Sequence, residues 1–274
     1  MNELMYSQSS LATVMGLLVC MLLSVELGYR IGRRQSIAAS EAVRSQANTV
    51  LAAMLGLLAL LLGFTYSLAL QRYEERSQAV VTEANAIGTT YLRAQLLPAA
   101  MRSDIQAKLR QYVDIRVREG RLSLDDAVKD RTLVQQGGAL AAQVWELAMQ
   151  AVTKDDRPAT TGLFIQALND MIDSVDRHRA ALDRHVPESV LFLVFLTFVM
   201  TTAILGYASG VAAHRVTIPG IALVVLIALV VYLIIDLDRP RRGLIQVNQE
   251  SLVNLQRGMA GTPASAEAAG SPKN

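Results

Sequence analysis

Residues Phe64–Val81 read FTYSLALQRYEERSQAVV, the end of an apolar run that turns into a charged amphipathic pattern with neither proline nor glycine between them. Nothing in this stretch forces a helix to stop. Two folds are compatible with it. Either a membrane helix merely anchors a soluble part, or one helix leaves the bilayer and continues because both of its halves line one path.

The rest of the chain fits a membrane setting. Of 274 residues, 52% are hydrophobic and only 18% are charged, far from the balance of an ordinary soluble domain, so lipid must solvate part of the surface. The net charge is +2, and the basic residues are spread along the chain, which gives nucleic-acid binding little electrostatic support. A single cysteine, Cys20, lies in an apolar run. It rules out an internal disulfide and reads as a free core thiol.

Leu11–Tyr29, Val50–Leu70, Pro187–Tyr207 and Ile218–Ile235 are apolar runs of about 18–21 residues, long enough for helices that cross the hydrocarbon. The first is not expected to be a secretion signal. Residues 1–10 carry no Lys or Arg, and the basic cluster Arg30, Arg33, Arg34 follows the apolar run instead of preceding it. The expected fold is therefore all-α: an integral membrane protein with four transmembrane helices and a helical soluble insert between the second and third. The expected parts are residues 1–49 (first span and basic loop), 50–70 (second span), 71–186 (soluble insert), 187–257 (third and fourth spans with an Arg-rich end) and 258–274, a Gly/Ala/Ser/Pro tail that cannot bury a core and is expected to be disordered.

Within the insert, Val80, Ala84, Ile87 and Tyr91 recur at the 3.6-residue period of an amphipathic helix that ends at Pro98. Met101, Ile105, Leu109 and Tyr112 mark a second helix closed near Gly120. Ser123 and Asp126 form a capping pair for a third, expected to break at Gly137-Gly138 and resume through Val144 and Leu147. Phe164, Leu168, Met171, Val175 and Leu182 stripe a fourth, after Arg157-Pro158. No window shows sustained strand alternation.

On the second span, Ala52, Gly56, Ala59, Gly63 and Ser67 fall four, three, four and four residues apart, on one face. Small residues in such a row let another backbone approach closely. That face either packs against a helix of the same subunit or faces the axis of an oligomer, with Leu60, Phe64 or Thr65 forming an apolar constriction that gates by dewetting. Asn85 lies farther on, beside Val81, Gly88 and Leu92. There an amide needs a partner, from another helix or from water on a symmetry axis. Arg72, Glu74, Glu75 and Arg76 read as a solvated collar.

The last span ends in IIDLDRPRRGLI, where Asp236 and Asp238 sit at a water-facing end close to Arg239, Arg241 and Arg242. The preferred reading is an interfacial stop with Pro240 ending the helix. Attraction of anions to the arginines, or of a cation to the carboxylates, is the alternative. Asp170, Asp173 and Asp176 lack a calcium loop, and His178 with His185 do not make a zinc site, so no metal or cofactor is expected. With no P-loop, GxSxG, HExxH or dinucleotide fingerprint, and no charged residue in mid-span, neither an enzyme nor a proton-coupled transporter is expected.

The motifs LLGFTYSLALQRYEER, EANAIGTTYLRAQLLP, ALNDMIDSVDRHRAAL and IIDLDRPRRGLIQVNQ resemble the bestrophin-like bacterial membrane proteins, a domain of unknown function. The likeness spans residues 50–255. It implies the arrangement of bestrophins, pentameric anion channels in which the second membrane helix lines a neck and runs on into a helical cytosolic domain. The chain departs from bestrophins in having no acidic run like their calcium clasp and one aromatic, Phe64, in place of a neck ladder.

Two functions follow as expectations. The first is a homo-oligomeric ion channel, a pentamer by the resemblance, with the second helix lining the pore and anions slightly favoured. The second is a membrane-anchored scaffold or sensor whose insert binds a partner. The Lys/Arg distribution around the spans is nearly balanced between the two sides. The resemblance favours a multi-pass protein of the bacterial inner membrane with a cytoplasmic insert.

Overall fold

The structure is a computed structural model and describes residues 10–37, 40–122, 127–239 and 245–261. Among the described residues the α-helices are α1 (Ser10–Gln35), α2 (Glu41–Arg93), α3 (Ala99–Gly120), α4 (Ala127–Val152), α5 (Leu163–Leu182), α6 (Glu188–Val211), α7 (Ile218–Asp238) and α8 (Glu250–Ala260). A 3-10 turn, Ala94–Leu96, follows α2, and a π-helical turn, Pro158–Gly162, leads into α5. No strand occurs among the described residues. Four helices, α1, α2, α6 and α7, are long and apolar enough to cross a membrane.

The opening stretch is helical throughout. α2 runs 53 residues without a break, because between Phe64 and Val81 no residue lacks an N–H or favours left-handed backbone. The chain divides into two compact units, and the division falls inside α2, between Tyr73 and Glu74.

The first unit comprises Met1–Tyr73 and Arg184–Gln246. Its core gathers Val14, Leu17 and Met21 of α1, Leu58 of α2, Val194 and Phe198 of α6, and Val224 and Val231 of α7. α1 and α6 pack with their backbones almost touching. A Cβ on Gly28 would come within 2.0 Å of the Ala203 carbonyl oxygen, and one on Gly206 within 2.0 Å of the Val25 oxygen. Gly32 and Gly210 repeat the approach one turn on, which is small-xxx-small packing carried by both helices. Between these helices the Ser24 hydroxyl donates to the Val199 carbonyl at 2.6 Å. Cys20 is exposed, not a core thiol, because it lies beside the buried stripe of Val14, Leu17 and Met21 and not on it. A second cluster, Ala69, Val186, Leu191, Ile234 and Leu237, closes the end of the unit near the α6 N-terminus.

The second unit comprises Glu74–Asp183 and Val247–Asn274. Val80 and Ile87 of α2, Ile105, Leu109 and Val113 of α3, Val144 and Ala148 of α4, Phe164, Leu168 and Met171 of α5, and Leu252 of α8 are all buried in it. α4 passes straight through Gly137 and Gly138, where a break was expected. The glycine pair thins the helix without ending it. α8 lies on α3, with Gln256 donating to Asp114 at 2.7 Å. It includes residues 258–260, assigned above to the disordered tail, because Met259 is buried. The proposed capping pair Ser123/Asp126, and residues 262–274 of that tail, lie outside the described residues.

Candidate functional site

Helix α2 is the least covered of the four apolar helices. Of its most apolar 18-residue window only 11% is buried, against 28% in α1, 33% in α7 and 39% in α6. At about 100° per residue, the uncovered positions are not random. In the first unit Ala52, Gly56, Ala59, Leu60, Gly63, Phe64 and Ser67 are exposed, Leu60 at 55% and Phe64 at 66%, while Leu58, Thr65 and Ala69 on the opposite side are buried. A Cβ built on Gly56 or Gly63 meets no atom within 4 Å. The small-residue face therefore packs on nothing among the described residues.

The pattern keeps its phase in the second unit. Glu74, Gln78, Thr82, Asn85, Thr89 and Leu92 are exposed, and Arg76, Val80, Glu83, Ile87, Thr90 and Ala94 are completely buried. The open stripe of α2 thus changes chemistry along its length. It is polar at Ser45, Asn48 and Thr49, apolar and small from Ala52 to Phe64, and polar again from Ser67 to Thr89.

Six of the seven axis candidates, Gly56, Leu60, Gly63, Phe64, Ser67 and Asn85, share this stripe. Thr65 does not. It is 3% exposed, and its hydroxyl donates to the Leu61 carbonyl at 2.7 Å, since one residue beyond Phe64 turns the side chain into the subunit. Asn85, expected on the apolar side of the helix, is solvent-facing.

The charged candidates are placed inward. Arg76 is fully buried and donates from Nε to the Ala181 carbonyl at 3.3 Å, so it is no part of a solvated collar. It lies four residues before Val80, on that helix face. Arg72 is half-buried. Asp236, Asp238 and Arg239 are buried as well. Both Asp238 carboxylate oxygens accept the Val186 N–H, at 3.2 and 3.0 Å, and Asp236 Oδ2 accepts the Ile245 N–H at 2.9 Å. These carboxylates pin the chain entering α6 and the chain leaving α7. Arg241 and Arg242 lie outside the described residues.

Sequence reasoning missed a buried polar cluster behind α2. The Arg116 guanidinium of α3 donates from Nε and Nη2 to the Glu83 carboxylate, the latter at 3.0 Å, and from Nη1 to Glu119. His178 of α5 bonds the same Glu83 through Nδ1. Burial works against the Arg116 charge, yet the bonds and charge of Glu83, with Glu119 beside it, outweigh burial and push its pKa further up. Burial also raises the Tyr112 phenol, which stays protonated. The missed signal was Glu83 itself, three residues after Val80 and four before Ile87, an acid in an apolar stripe. Among the described residues no group of three His, Cys, Asp or Glu is arranged to hold a metal ion.

Known proteins share this architecture. Superposition on the crystal structure of a substituted bacterial bestrophin homolog from Klebsiella pneumoniae gives a TM-score of 0.67 at 15% identity, covering 92% of this chain and 97% of that one. A second crystal structure of a bestrophin homolog from the same organism gives 0.58 at 15% identity over 88% and 96%. A structure described only as a membrane protein gives 0.63 at 14% identity over 90% and 96%. No curated protein matches the sequence. At these identities the structural likeness carries the fold alone. The Bestrophin-like domain model, however, matches residues 15–252, a range containing most of α1, all of α2, α6 and α7 and the polar cluster behind α2, and the chain belongs to the Bestrophin-like family.

Proposed function

We propose that the chain assembles into a homo-oligomeric membrane pore for small inorganic ions, with the open stripe of α2 from each copy facing the axis. The observation that carries the proposal is the uncovered face of α2, small at Gly56 and Gly63 and polar at both ends. Lipid would suit an apolar stripe, but it gives nothing to Ser67 or Asn48. Water on an axis does. Leu60 and Phe64, the most exposed large side chains of the apolar section, form the constriction, an apolar ring that controls wetting.

Five copies is the number the family resemblance implies. It also favours anions and a cytoplasmic insert in the bacterial inner membrane. Charge on the stripe points the other way on ion sign. Glu74 is exposed on it, whereas Arg76 turns inward, and a ring of carboxylates concentrates cations.

The test is current through the purified oligomer in planar bilayers under asymmetric KCl. A pore predicts unitary currents whose conductance rises severalfold in Phe64→Ala, and the reversal potential gives the ion's sign. A monomer in detergent and in lipid, or an assembled oligomer silent across voltage and membrane tension, would contradict the proposal.

A further inference from the structure

The second unit contains a cavity of about 610 Å³ between α3, α4 and α5, within the size range of small-molecule sites. It exists because α4 presents Gly137, Gly138, Ala141 and Ala142 to it, four residues with almost no bulk, followed by Trp145. α3 supplies Tyr112 and Arg116, and α5 supplies Ile172 and Arg179. The apolar part of this wall suits a flat or branched hydrocarbon body.

The polar part decides the rest of the ligand. Arg116 is committed to Glu83 and Glu119. Arg179 is not so committed. Its Nε is buried and has no hydrogen-bond partner, and its closest carboxylate, Asp176, stands 3.9 Å from Nη1. A dry guanidinium N–H without an acceptor is costly, and a bound acceptor removes that cost. Tyr112, whose phenol stays protonated, is another donor in the wall. The acids near the cavity, Glu146 and Asp176, are exposed, where water screens them. The lining atom left buried without a partner, Arg179 Nε, is thus a donor, and it asks for an anionic acceptor.

We propose that this cavity is a binding site for a small amphipathic carboxylate, its apolar body against Trp145 and the glycine pair and its carboxylate on Arg179. The site goes beyond the pore reading and does not depend on it, because binding is measured without ion flow.

Trp145 is the only tryptophan in the chain, so its emission reports on the cavity directly. The full-length protein in nanodiscs is titrated with 4-phenylbutyrate, with 4-phenylbutylamine as the cationic control of the same body. The expected result is a saturable change in emission for the carboxylate, weakened about tenfold or more by Arg179→Gln, with weaker binding of the amine. Gly138→Leu provides a second variant. A Cβ there meets no atom within 4 Å, so the side chain fills the cavity without a clash and abolishes binding in a folded protein. The proposal is overturned if the carboxylate gives no saturable change, if Arg179→Gln leaves its binding unaltered, or if the amine binds as tightly.

Discussion

Glu83 and Glu74 lie on the same helix, nine residues apart, and face opposite ways. Glu83 is buried and holds Arg116 and His178, while Glu74 is exposed on the open stripe. Glu83→Gln leaves a buried guanidinium short of a charge partner and should cost about 3–5 kcal/mol, visible as a large drop in thermal stability in detergent. Glu74→Gln should leave stability unchanged and shift the reversal potential toward anions. Equal stability of the two variants would refute the buried-cluster account. An unmoved reversal potential would remove Glu74 from the ion path.

Most of the stripe was legible in the sequence, since Gly56, Gly63 and Ser67 obey the helical period. Thr65 and Arg76 were misplaced because nearness in sequence and charge were weighed above angle: Thr65 lies about 200° around the helix from Gly63, and Arg76 shares a face with Val80. Glu83 in its apolar stripe was the one legible member of its cluster; its partners were not, because they come from α3 and α5, more than thirty residues away. Only the three-dimensional packing brings them together.

At the scale of elements, two features define the first unit's helices: the backbone approach of α1 to α6, and an outer face of α2 that no described residue approaches at Gly56 or Gly63. Gly206→Ala places a methyl 2.0 Å from the Val25 oxygen. Because backbone cannot yield as a side chain can, the two helices must separate, at about 1–3 kcal/mol. Gly16→Ala, where a Cβ meets nothing within 4 Å, is the matched control and should leave the melting temperature unchanged. Because alanine favours a helix over glycine, propensity alone would raise stability in both variants, so an equal loss in both would contradict the packing account.

The four spans and the continuity of α2 could be read from apolar run lengths and from the lack of a breaker after Phe64. The Gly28/Gly206 crossing was not, because a glycine on an apolar helix does not say which neighbour comes close. Nor was α8. Its buried positions, Leu252 and Met259, are too few and too far apart to stand out beside a Gly/Ala-rich tail.

For the whole molecule, the central claim is that one face of α2 meets water on a symmetry axis while the opposite face is closed within the subunit. The most direct measurement compares Ser67→Cys with Thr65→Cys, each in a Cys20→Ala background, during exposure of single channels to a positively charged methanethiosulfonate reagent. The account predicts a stepwise, irreversible fall in current for the Ser67→Cys protein and none for the Thr65→Cys protein. Modification at position 65 with none at 67 would contradict it, because the lining face would then be the one that the structure buries.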